Sequence, residues 1–193
     1  MSKSALSVRN MTFIAMFVAL LAIGGQISIQ TVIPITMQTF VVMLAGSILG
    51  ARRGFVSMLV FIALVAAGAP LLSGWKSGPG ALVGPTGGYI VSWPFAAFLM
   101  GLIVEKFAAK GPLKAWQITL AHITGGILLV HLIGFPWAVA ALKLPLNMET
   151  FISSFLIFMP GDLIKAFVAT PVALAVYRAV PWLKPRRRER ENQ

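Results

Sequence analysis

Six apolar runs follow one another along this chain, separated by short segments that hold nearly all of its charge. A membrane span needs about 20 apolar residues at roughly 1.5 Å of rise each. The runs read as Met11–Ile29, Ile35–Leu49, Phe55–Ala67, Gly87–Val104, Trp116–Ile133 and Phe151–Tyr177. The second and third are short for a full span, and Gly50-Ala51-Arg52-Arg53-Gly54 between them reads as a tight polar turn. Only 11% of the residues are charged, against about 25% in a soluble domain, so lipid is the natural solvent. The expectation is an all-α integral membrane protein, a compact bundle of six transmembrane helices. It forms one domain over residues 1–193, with a basic tail from about residue 178.

The net charge of +11 is distributed as topology requires. With the N-terminus inside, thirteen Lys and Arg residues fall on the cytoplasmic side: Lys3, Arg9, Arg52, Arg53, Lys106, Lys110, Lys114 and those of the tail from Arg178. Only Lys76 and Lys143 fall outside, and Lys165 lies within a span. Both termini are therefore expected to be cytoplasmic, as an even helix count demands. Arg186-Arg187-Arg188 reads as a solvated, topology-setting tail. No nucleic-acid-binding module accompanies the charge, so no nucleic-acid partner is expected. The absence of cysteine removes disulfides, thiolate metal sites and cysteine nucleophiles. The first run has no A-x-A-like site after it and is read as the first membrane helix, not a signal peptide.

On the outer side, Gly68 to Thr86 carries Gly68, Pro70, Gly74, Gly78, Pro79, Gly80, Gly84 and Pro85, which argues against a regular helix. Irregular backbone at membrane depth is tolerated only where it is buried in protein or lines a cavity. Leu132–Glu149 reads as an interfacial helix plus loop. No internal repeat supports an inverted-repeat transporter.

Asp162 is the only aspartate, and it lies in the middle of the last apolar run within Met159-Pro160-Gly161-Asp162-Leu163-Ile164-Lys165. A charge at that depth costs at least about 2.5 kcal/mol and is rarely there without a role. Asp162 and Lys165 are three residues apart and share a helix face. Mutual neutralisation is the plain reading, yet a pair with no role is replaceable by apolar residues at little cost. Pro160 and Gly161 just before it weaken the helix and free a backbone carbonyl. A carboxylate only accepts hydrogen bonds and an ammonium only donates them, so the pair suits a ureido or amide ligand. An aspartyl intramembrane protease needs a second aspartate, which the chain lacks.

Gly84-Pro85-Thr86-Gly87-Gly88-Tyr89 opens the fourth helix, where glycines let a ligand approach the backbone and free N–H groups favour an anionic group. A turn packed on a neighbouring helix is the alternative. It is no phosphate loop, because no G-K-[ST] follows. Thr36, Gln38 and Thr39 either line a pocket or start the second helix. Ala15 and Ala19 form a small-xxx-small pair that admits a close helix neighbour, within this chain by default. His122 and His131, nine residues apart, fall on roughly opposite faces of one helix and read as hydrogen-bonded bundle histidines, not a metal site.

Taken in order, Pro34-x-Thr36-x-Gln38-Thr39, Leu44-Ala45-Gly46-x-x-Leu49-Gly50, Gly84-Pro85-Thr86-Gly87-Gly88-Tyr89 and Pro160-Gly161-Asp162-x-x-Lys165 resemble the BioY family over nearly the whole chain. These are the biotin-binding substrate-capture (S) components of energy-coupling-factor transporters. The resemblance implies a six-helix fold in a bacterial or archaeal cytoplasmic membrane, with biotin as ligand and no cofactor. Biotin would sit near the outer surface under the loop joining the first two helices. Asp162 and Lys165 would hold the ureido ring, while Gly84, Thr86, Gly87, Gly88 and Tyr89 shape the pocket. Thr36 and Gln38 would belong to the closing loop. Ala15 and Ala19 would dock onto a transmembrane coupling subunit, and ATPase subunits would supply the energy. Lys76 and backbone N–H groups near Gly87 are the candidates for the biotin carboxylate.

Three rivals make distinct demands. An S component for another vitamin, such as riboflavin or thiamine, would leave the bundle intact without biotin affinity. An intramembrane enzyme using Asp162 or His122 would show turnover. A structural protein would tolerate Asp162→Ala and Lys165→Ala.

Overall fold

The computed structural model describes residues 8–31 and 33–185, with the backbone alone for Ser153 and Ser154. Lys3 and Arg186-Arg187-Arg188 lie outside the described residues. The helices are α1 (Val8–Gln26), α2 (Gln38–Leu49), α3 (Ala51–Ala66), α4 (Gly78–Val83), α5 (Gly87–Lys110), α6 (Ala115–Leu142), α7 (Met148–Ser154) and α8 (Met159–Ala179). An antiparallel hairpin, β1 (Ser28–Ile29) with β2 (Ile35–Thr36), joins α1 to α2. Four stretches among the described residues are long and apolar enough to cross a membrane: α1, α5, α6 and 148–179. Helices α2 and α3 are shorter.

Helix α5 is the axis of the bundle, and small residues explain why. Lipid gives helices no hydrophobic reason to associate, so they must pack closely to gain dispersion energy. Ala96 and Ala97 on α5 are fully buried. A Cβ on Gly46 of α2 would lie 2.9 Å from the Ala97 carbonyl, and one on Gly125 of α6 would lie 2.9 Å from that of Ala96. On the outside, Leu20 and Ile23 of α1 and Ile164, Phe167 and Val168 of α8 are exposed, as lipid-facing positions should be. Buried hydroxyls are satisfied by backbone carbonyls: Tyr177 of α8 donates across to that of Ser47 in α2, and Ser57 to that of Arg53 one turn back.

Several boundaries differ from the sequence reading, each for a local reason. Helix α1 stops at Gln26 and not Ile29, because Ser28–Ile29 pairs with Ile35–Thr36. Helix α2 accordingly begins at Gln38 and not Ile35. The polar break before α3 contracts to Gly50, whose φ of 79° reverses the chain, and α3 starts at Ala51. The Glu105 carboxylate accepts the Ala51 N–H at 2.9 Å, so the charged residues here begin a helix instead of forming a turn. Within the Gly68–Thr86 segment Pro79, in the first turn, starts the short helix α4. Leu132–Glu149 is no separate interfacial helix: α6 runs on through Pro136 to Leu142, and Asn147 then caps α7 through the Thr150 N–H at 2.8 Å. The last run is broken at Phe155 (φ −126°), so Pro160 and Gly161 open α8 and do not interrupt it.

Candidate functional site

The hairpin, the loop at residues 72–76, and the first turns of α2, α5 and α8 converge at one end of the bundle with the middle of α6. The space they leave, its mouth included, is about 690 Å³. The opposite end carries the basic groups: Arg53, Lys106, Lys110 and Lys184 surround Glu105 beside the end of α5. The two ends are separated by the length of α5, from Thr86 and Tyr89 at the cavity to Lys106 and Lys110.

Asp162 and Lys165 form the polar floor. The pair is 2.9 Å apart and buried, 3% and 9% exposed. Asp162 lies in the first turn of α8, where unpaired backbone N–H groups favour a carboxylate. Thr39 of α2 completes a ring, accepting from Lys165 at 2.9 Å and donating to Asp162 Oδ1 at 3.3 Å. All of this is spent on Oδ1. Among the described residues Asp162 Oδ2 accepts no hydrogen bond, and an ammonium with three donors has used two. The floor therefore still offers one acceptor and one donor to a ligand.

Most of the residues singled out in the sequence do meet here. Thr36, Gln38, Thr39, Lys76, Thr86, Tyr89, Asp162 and Lys165 line the cavity. Thr36 serves both readings given to it: it lines the cavity, and its hydroxyl accepts the Gln38 N–H at 3.1 Å. Buried Gln38 ties α2 to α1 by donating to the Leu21 carbonyl at 3.3 Å. Lys76 is exposed at the rim, with no ion pair among the described residues.

Three glycines sit elsewhere. Gly84, Gly87 and Gly88 are outside the lining and pack against the protein itself. The Gly84 carbonyl accepts from the Trp137 indole at 3.0 Å, and a Cβ on Gly88 would collide with the Trp137 side chain. The Gly87 N–H donates to the Gly84 carbonyl at 2.9 Å and is not free for a carboxylate. The turn that reads as a ligand cradle is thus the seat of Trp137. Ala15 and Ala19 are both exposed on the lipid-facing side of α1, so among the described residues no helix uses their small size.

Sequence periodicity misplaces His131. The segment His122–Leu129 is π-helical, and its wider turns advance fewer degrees per residue than an α-helix. Both histidines consequently face α8: His122 Nδ1 lies 3.2 Å from the Ala166 carbonyl, and His131 Nε2 lies 3.6 Å from Asp162 Oδ2. His131 lines the cavity, packed edge-on against Tyr89 and Phe155. Trp93 is a second lining residue that carried no signal in the sequence, since an aromatic in an apolar run reads as ordinary core.

The cover is held by hydroxyls and amides. Gln30 donates to Ser28 and Ser73 at 2.6 and 2.8 Å, and Gln26 donates to the Leu72 carbonyl at 3.0 Å. The hairpin and the 72–76 loop are thereby joined over the cavity.

Known proteins resemble this chain in sequence and in fold. The chain is similar to the probable biotin transporter BioY of Bacillus subtilis (strain 168), 38% identical over 89% of this chain and 91% of that one. It is 35% identical to the biotin transporter BioY of Rhizobium etli, over 94% of this chain and all of that one (100%). The crystal structure of the S-component for biotin from an ECF-type ABC transporter matches with a TM-score of 0.82 and 29% identity, covering 92% of this chain and 95% of that chain. The model of the BioY family matches residues 1–182, nearly the entire described chain and all of its cavity, and this protein therefore belongs to the BioY family.

Proposed function

We propose that this protein is the biotin-capturing S component of an energy-coupling-factor transporter, binding its ligand without chemical turnover. The observation that carries the reading is the half-spent floor: among the described residues, Asp162 Oδ2 and one N–H of the buried Lys165 remain available in the cavity. A ureido group supplies an N–H to the carboxylate and a carbonyl to the ammonium, which matches that pair. Exposed Lys76 at the rim supports a role in drawing in the biotin carboxylate. The names of the relatives point the same way.

In this reading α2 and α3, though short, also cross the cytoplasmic membrane, making a single domain of six spans. The cavity faces outward, and the basic end with both termini faces the cytoplasm, as the clustering of Arg53, Lys106, Lys110 and Lys184 supports. Biotin enters from outside and the hairpin, with Thr36 and Gln38, closes over it. Ala15 and Ala19 dock onto the transmembrane coupling subunit, and ATPase subunits drive the reorientation that releases biotin inward. The exposure of that small-residue pair supports this use.

Calorimetric titration of the detergent-purified protein with biotin, beside its Asp162→Asn variant, tests the proposal. Tight binding that the variant loses supports it. A folded protein that gives no heat with biotin, but does with riboflavin or thiamine, sinks it.

A further inference from the structure

Two more polar groups in the cavity wall are uncommitted. His131 and Trp93 are 2% and 3% exposed, and among the described residues His131 Nε2 and Trp93 Nε1 have no hydrogen-bond partner. Unpaired buried polar atoms are costly and rare. His122 Nε2 shares this state but is not part of the cavity lining, so lacking a partner alone decides nothing. What distinguishes the other two is that their residues, His131 and Trp93, both line the ligand cavity.

The chemistry of His131 is fixed by its neighbours. Its Nδ1 lies 3.0 Å from the Ile127 carbonyl, which can only accept, so Nδ1 carries the hydrogen. Among the described residues, the one carboxylate within reach is already matched by Lys165 at 2.9 Å, which leaves no counter-charge for an imidazolium. The ring is neutral, and Nε2 is a bare acceptor 3.6 Å from a second bare acceptor, Asp162 Oδ2. Two acceptors at that separation can share one N–H in a three-centre bond. Among the described residues no side chain donates there. Trp93 is a donor only.

Resting on the biotin reading, we propose that His131 and Trp93 are specificity-determining residues of the site. His131 Nε2 shares one ureido N–H with Asp162 Oδ2, and the Trp93 indole donates to an acceptor atom of the same ligand. The site then checks for an N–H at that one ring position, a demand that the Asp162–Lys165 pair alone makes less strictly. A ring nitrogen bearing a substituent there would leave two buried acceptors facing each other.

The test is a matrix of calorimetric titrations on detergent-purified protein. The ligands are biotin and its two derivatives methylated on one ureido nitrogen each; the proteins are wild type, His131→Phe, His131→Gln and Trp93→Phe. His131→Phe, which keeps the ring packing, is expected to weaken biotin about five- to tenfold. His131→Gln, whose amide oxygen reaches close to the Nε2 position, recovers part of that. Against the derivative lacking the bridging N–H, His131→Phe costs nothing further. Should both methylated ligands be too bulky to bind, the difference between the Gln and Phe variants reads the same contact. Trp93→Phe weakens biotin by a similar factor. An equal loss on every ligand, or equal binding by the Gln and Phe variants, overturns the role of His131, and unchanged binding by Trp93→Phe overturns that of Trp93. Wild-type protein that ignores biotin overturns the biotin reading itself.

Discussion

Lys165 and Thr39 are 126 residues apart in sequence, yet the ammonium of one donates to the hydroxyl of the other at 2.9 Å, so the ion pair on α8 is locked to α2. Removing one charge of a buried pair strands the other, at a cost of about 3–5 kcal/mol. Asp162→Asn and Lys165→Met are each expected to lower the thermal midpoint in detergent and to lose biotin binding. The double variant Asp162→Leu/Lys165→Met is expected to regain the midpoint and still bind nothing. A double variant that binds biotin would show the pair to be structural only.

Lys76 tests how the carboxylate end of the ligand is held. A rim-exposed ion pair contributes about 0.2–1 kcal/mol and is screened by salt. Lys76→Ala should therefore weaken biotin by a factor of about two to five at low ionic strength, less at high salt. Biotin methyl ester should bind the two proteins equally. Calorimetry at two salt concentrations reads both effects.

Gly134 faces Tyr89, and a Cβ there would run into the phenol ring, which lines the cavity. Gly134→Ala should cost about 1–3 kcal/mol of stability through overpacking and also weaken biotin, by pushing Tyr89 inward. Gly88→Ala meets Trp137 instead, behind the lining, and should cost comparable stability with a smaller effect on affinity. Thermal unfolding with and without biotin separates the two.

Ala15 and Ala19 are exposed, and no cavity-lining residue lies on α1. If α1 docks as proposed, Ala15→Leu with Ala19→Leu should leave biotin affinity unchanged while preventing co-purification with the proposed coupling subunit. Retained assembly would remove the docking role from α1.

How far the sequence carries depends on whether a feature is local. Asp162 and Lys165 were legible because a charge in an apolar run is conspicuous and a three-residue spacing fixes a shared face without tertiary knowledge. Thr39 was only one polar residue of several until the fold joined α2 to α8. The glycines at 84, 87 and 88 announce a close approach but not by what, and the visitor is Trp137. Helical periodicity puts His131 on the wrong face because the angular step between residues changes inside the π segment, and no residue type there signals it. Helix ends went astray for the same kind of reason: Ser28–Ile29 is as apolar as the helix before it, and only its pairing with Ile35–Thr36 shows that the chain has turned.

The cover over the cavity is fastened by Ser28, Gln30 and Ser73, neutral groups throughout. Helix α1 grips one end of that cover through the hairpin, yet adds nothing to the cavity wall. A partner that tilts α1 would thus tug on the latch and leave the cargo's own contacts untouched, so that the door can be worked from outside the room.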